Sequence, residues 1–176
     1  MKILTLLRHA KSDWDDPVGR DFDRPLNPRG RRAARTVGAE MKARDLAFDL
    51  VLASPARRVI ETLEEVTAAF GPLRHRFDER LYLAAVPTLL EIIRDTPDEV
   101  GRLLVAGHNP GLEQIALLLS RRGGRHRSEV EIKYPTGTLV QIELPVDRWA
   151  GVREGDGNMV GLIRPRDLDP ELGPED

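Results

Sequence analysis

The sequence predicts an α/β protein, a three-layer α/β/α sandwich built on a mainly parallel sheet. Short aliphatic runs recur at residues 3–7, 50–53, 103–106, 139–144 and 159–163, each bounded by turn-forming or charged residues. Stretches with helical spacing lie between them, at about 29–44, 57–70, 88–94 and 112–119. The composition, 40% hydrophobic but 5% aromatic over 176 residues, suits one domain with an aliphatic core.

Taken in order, residues 3–7 read as a buried first strand, because Arg8-His9 interrupts an apolar run too short to be a secretory or spanning segment. Residues 11–28 carry three prolines, several aspartates and little apolar periodicity, so they form a long loop placed to wall or cover a site. The strand at 50–53 leads into the 57–70 helix, and the strand at 103–106 into the 112–119 helix. Arg121 to Arg127, with two glycines, reads as a solvated basic connection, and His75 and His126 as surface residues among charged neighbours. The domain is expected over residues 1–164, with 165–176 an acidic, Pro-rich tail that is solvated or loosely docked.

Lys and Arg number 27 against 29 Asp and Glu, so there is no net charge to attract polyanions, and neither nucleic acid nor a membrane surface is an expected partner. Cysteine is absent, which excludes disulfides, thiolate metal sites and cysteine nucleophiles and makes a cytoplasmic setting the default expectation.

Open α/β sheets bind ligands at the carboxyl ends of their strands, and here those ends are rich in cations and histidine. The first strand runs into Arg8-His9, the second into Ser54-Pro55-Ala56-Arg57-Arg58, and the third into Gly107-His108-Asn109-Pro110-Gly111. Two arginines and two imidazoles can surround one tetrahedral dianion there, helped by free N–H groups at helix starts. Phosphoryl transfer needs an in-line nucleophile and donors on the equatorial oxygens. Arginine stays charged and grips two oxygens at once, and neutral imidazole is a nucleophile near pH 7 that needs no separate base. His9 can therefore take up a phosphoryl group that water later releases.

Rival motifs fare less well. Asp21-Phe22-Asp23 has the look of a Mg²⁺-dependent aspartyl phosphatase loop, but no buried strand directly precedes it. Gly155-Asp156-Gly157 with Gly161 lacks dinucleotide spacing, and zinc on the two histidines would face arginine repulsion. No metal or other cofactor is expected.

The residues resemble the histidine phosphatase superfamily, the phosphoglycerate-mutase-like proteins, branch 1. Leu7-Arg8-His9-Ala10-Lys11-Ser12 is similar to the RHG signature, Arg24-Pro25-Leu26-Asn27-Pro28-Arg29-Gly30 to the PL(T/N)xxG element, and Ser54 through Thr62 to SxxxRxxQT. Asp78-Glu79-Arg80-Leu81-Tyr82 resembles the acidic element, and Gly107-His108-Asn109 the second histidine. The short length, the RHAKS start, DFDRPLN and GHNPGL look like the SixA-type phosphohistidine phosphatases. The resemblance implies a phosphoglycerate-mutase-like fold and hydrolysis through phospho-His9. It also implies Arg8 and Arg58 on the phosphoryl oxygens, His108 donating in the transition state, and Glu79 as general acid where one is needed. Arg24, Ser12 and Asn27 are expected substrate contacts, and the register selects Arg58 rather than Arg57. Ala10 replaces the usual glycine, Glu61 stands where many members have Gln and receives no role, and the stretch that holds a cap in other members is short. An open pocket suits a phosphoryl group on a partner protein's histidine. The alternatives are a small-molecule phosphatase acting on a sugar phosphate, phosphoglycerate or nucleotide, and a non-catalytic module that docks a phosphorylated partner.

Overall fold

A computed structural model describes residues 1–173. Six strands form one sheet: β1 (Lys2–Arg8), β2 (Leu50–Ala53), β3 (His75–Phe77), β4 (Arg102–Gly107), β5 (Leu139–Leu144) and β6 (Asn158–Ile163). Their spatial order is β3-β2-β4-β1-β5-β6, parallel from β3 to β1 and antiparallel for β5 and β6. The helices are α1 (Pro28–Ala43), α2 (Arg57–Phe70), α3 (Val86–Arg94), α4 (Gly111–Leu119), α5 (Arg125–Ile132) and α6 (Pro165–Leu168).

Strand alternation divides the core into two faces. Leu4, Leu6, Leu50, Leu52, Leu103 and Val105 bury against α3, α4 and α5. Leu7, Val51, Ala53, Leu104 and Ala106 bury against α1 and α2, through Val37, Met41, Val59 and Val66. The sandwich and its mainly parallel sheet are those the sequence predicts.

Helix α1 begins where Asn27 Oδ1 accepts the Gly30 N–H at 2.7 Å and Pro28 supplies a preset φ at the first turn. It lies so close to α2 that a Cβ on Gly38 would stand 2.5 Å from the Val66 carbonyl oxygen. Gly38→Ala is therefore expected to destabilise the fold by about 1–3 kcal/mol, the usual range for overpacking. A shifted urea midpoint at unchanged m-value would show it.

One expectation is corrected and two are completed. The basic connection at 121–127 becomes helix from Arg125, and Arg127 Nη1 caps the end of α4 by donating to Leu117 O (2.6 Å) and Ser120 O (2.7 Å). β3 went unpredicted because its three residues are all exposed and carry no apolar run; His75 is exposed there. The tail is docked as far as residue 173, and 174–176 lie outside the described residues. α6 and a 3-10 turn at Pro170–Leu172 fold it back on α1, with Leu172 buried and Arg32 paired to Asp169 (2.5 Å) and Glu171 (2.8 Å).

Candidate active site

The carboxyl ends of β1, β2 and β4 meet at a cavity of about 380 Å³, lined by Arg8, His9, Arg24, Arg58, His108 and Asp21 among others. Parallel pairing of β4 with both β1 and β2 brings the three strand ends level, so residues far apart in sequence face one space.

His9 is 8% exposed and its ring is fixed. Nδ1–H donates to the Ala10 carbonyl at 2.7 Å, which leaves the lone pair on Nε2, where Arg58 Nε–H approaches at 3.3 Å. His108 Nδ1 accepts from Arg58 Nη2 at 3.3 Å, so its proton is on Nε2, which donates to Ser54 Oγ at 2.8 Å. The two rings lie 5.4 Å apart with the Arg58 guanidinium bonded to both.

Burial, with the Arg58 and Arg8 charges and the neighbouring imidazole, holds His9 well below its ordinary 6.5, against the contrary pull of the Ala10 carbonyl. Burial and then Arg58 push His108 down to about 3. Both rings are thus neutral at pH 7, the state a nucleophilic nitrogen needs. The same shifts set an acid sensitivity. An unfolded chain takes up protons as pH falls past 6.5, whereas the folded His108 resists until about 3. Stability present above 6.5 is therefore lost progressively toward pH 3. Urea unfolding at pH 7 and pH 4, with NMR titration of the ring protons, checks both the loss and the neutrality.

Surrounding residues hold this arrangement. Thr62 Oγ1 accepts from Ala10 N (2.9 Å) and donates to Arg58 O (2.6 Å), tying the His9 turn to α2. Arg8 Nη1 donates to Tyr134 O at 3.0 Å. Arg57 faces away from the cavity and pairs with Glu61 at 3.0 Å. Glu61 also accepts the Leu26 N–H at 2.8 Å, so the residue without a sequence-based role anchors the end of the 11–28 loop. Burial raises its pKa, but Leu26 and Arg57 outweigh that and keep the carboxyl below its ordinary value.

The loop pinches shut through a bridge between Ser12 and Leu26. Arg24 is buried there, with Nε donating to Ser12 Oγ at 3.0 Å and its guanidinium 3.6 Å from the centre of the Trp14 ring. Ser12 and Arg24 line the cavity, whereas Asn27 serves as the α1 cap. Glu79 is exposed on a 3-10 turn (Glu79–Leu81) and does not line the cavity.

The carboxylate that does line it is Asp21, on the 3-10 turn Asp21–Asp23. Its Oδ1 accepts from Arg24 Nη1 (2.5 Å), and its Oδ2 from Arg58 Nη2 (3.0 Å) and Tyr82 OH (2.5 Å). Burial alone would raise its pKa, but Tyr82, Arg24 and Arg58 together hold it well below the usual carboxylate range. Sequence reasoning saw Asp21 only as a rival metal motif and gave Tyr82 no role. Among the described residues no group of three or more His, Asp or Glu is disposed to hold a metal ion.

Comparison with known proteins places the chain in a family. The family model for the histidine phosphatase superfamily, branch 1, matches residues 4–83. The Mycobacterium tuberculosis protein MT1313, itself uncharacterized, is 38% identical over 163 residues, which span 91% of this chain and all of that protein. The chain belongs to the histidine phosphatase superfamily. Within it the chain is SixA-like. A candidate phosphohistidine phosphatase SixA from Nakamurella multipartitia superposes with a TM-score of 0.81 at 26% identity, over 93% of this chain and 96% of that one. A second such SixA, from Agrobacterium tumefaciens, gives 0.76 at 26% identity, over 93% and 97%.

Proposed function

We propose that this chain hydrolyses phosphohistidine on a partner protein by way of a phosphoryl-enzyme intermediate on His9. One observation carries the reading above others: the His9 lone pair is fixed on Nε2 by the Nδ1–Ala10 bond and opens on a cavity that also holds Arg8, Arg58 and His108. Nε2 attacks phosphorus and the bond to the leaving group breaks. Water then attacks phosphorus, the P–N bond returns its electron pair to Nε2, and inorganic phosphate departs. Arg8 and Arg58 stabilise the equatorial oxygens throughout. His108 joins them once the incoming dianion, by offsetting the arginine charges that add to burial in keeping its ring neutral, lets Nδ1 take up a proton from solvent and donate.

The setting supports this substrate class. The cavity is open at a rim bearing Trp14 and Leu83, 72% and 55% exposed, so a phosphoryl group on a large carrier can enter. The names of the SixA neighbours point the same way. A cytoplasmic setting is part of the reading; no described helix is long and apolar enough to cross a membrane.

The test is a substrate panel that includes phosphorylated histidine phosphotransfer domains, sugar phosphates, phosphoglycerate and nucleotides. The expected result is fastest release of phosphate from phosphohistidine. Activity is expected to persist in EDTA, since arginines and imidazoles supply the charge that a metal would otherwise provide. Loss in EDTA with recovery on adding Mg²⁺ would instead favour Asp21 or Asp23 as the working group.

A further inference from the structure

A carboxylate at the mouth of a phosphate site is at first sight misplaced, because it repels the dianion that the arginines attract. Asp21 is the only acidic residue lining the cavity among those described, its side chain is 40% exposed, and donors from three parts of the chain hold it there. Its backbone is held as well, with Arg58 Nη1 donating to Asp21 O at 2.8 Å. An ionised carboxylate offers about four acceptor sites. Arg24, Arg58 and Tyr82 take three, which leaves one on Oδ1.

We propose that this remaining acceptor binds the N–H of the phosphorylated imidazole, making Asp21 the residue that selects phosphohistidine over phosphate monoesters. The inference rests on the reading of the preceding subsection. A phosphoimidazole protonated on its second nitrogen carries a positive ring. As His9 Nε2 forms its bond to phosphorus, the old P–N bond breaks and its electron pair passes to the departing nitrogen. The ring leaves as neutral imidazole, with its second nitrogen still protonated, so no general acid is called on. Asp21 stabilises the protonated, labile form of the substrate. An ester leaving group accumulates negative charge instead, which the same carboxylate disfavours, and the two substrates are thereby separated by sign of charge. The charged and titratable groups around Asp21 are Arg24 on its own loop, Arg58 from α2, Tyr82 beyond the Glu79–Leu81 turn and His108 after β4.

The experiment compares wild type with Asp21→Asn, which keeps shape and acceptor oxygen but removes the charge. The probes are free phosphohistidine and p-nitrophenyl phosphate. The ratio of kcat/KM values for the two is taken on one preparation, so any loss of folded enzyme cancels. That ratio is expected to fall ten-fold or more in Asp21→Asn, and the alkaline limb of kcat for phosphohistidine to move to lower pH, because the bound ring then loses its proton more readily. An unchanged ratio with an unmoved limb overturns the inference and reduces Asp21 to orienting the arginines. Wild type that turns over p-nitrophenyl phosphate but not phosphohistidine refutes the substrate reading itself, whatever the variant does.

Discussion

His9→Ala is expected to abolish turnover of every substrate, by four or more orders of magnitude at the scale on which nucleophile deletions act, and to abolish the covalent intermediate with it. Rapid quenching of wild type during turnover should trap a phosphoryl group that is labile in acid and stable in base, as a phosphoramidate is, and peptide mapping should place it on His9. His9 presents a neutral Nε2 to the cavity, Ser12 Oγ is a hydroxyl that would need a base to lose its proton, and the sequence has no cysteine to compete. His108→Ala should slow the reaction and still leave a folded protein that binds phosphate weakly. An acid-stable adduct on Ser12, or undiminished turnover by His9→Ala, would overturn the mechanism.

Arg58→Ala is expected to lower kcat/KM by about 10²–10³, the loss typical of removing one preorganised donor to developing charge. The structure adds a reason for the full effect: Arg58 bonds His9 Nε2, His108 Nδ1 and Asp21 at once, so its loss removes a charge and loosens the three groups it spaces. Arg57→Ala should cost far less, because Arg57 is half-exposed and its partner is Glu61. Steady-state kinetics on both variants checks the register. An essential Arg57 beside a dispensable Arg58 would mean that the wrong arginine has been placed in the pocket.

Most of the fold was legible because most of its elements have an apolar face. β2 and β5 end where their aliphatic runs end, and α2 spans its periodic stretch. β3 and α5 left little apolar trace, the first wholly exposed and the second burying only Val130. For the tail, composition rich in Pro, Asp and Glu left a solvated and a loosely docked end both open, and Leu168 and Leu172 supply two apolar anchors on the body of the protein. At the site, Arg8, His9, Arg58 and His108 were legible from their positions after strands. Glu79, expected from the acidic motif, is exposed and is not among the residues that line the cavity.

By itself, then, the sequence determined the central strands of the sheet, the layers of helix on its two faces and the four residues that line one cavity at the strand ends, because period and strand-end position are local properties carried by neighbouring residues. Only the tertiary structure decided which carboxylate enters the site. Asp21 lies 37 residues from Arg58 and 61 from Tyr82, and nothing in its own neighbourhood distinguishes it from Asp23. It is folding of the loop, pinned at Leu26 by Glu61 and at Ser12 by Arg24, that sets one aspartate against the arginines. A carboxylate's role is fixed by the charges it is brought to face, and those charges come from elements that meet only once the chain has folded.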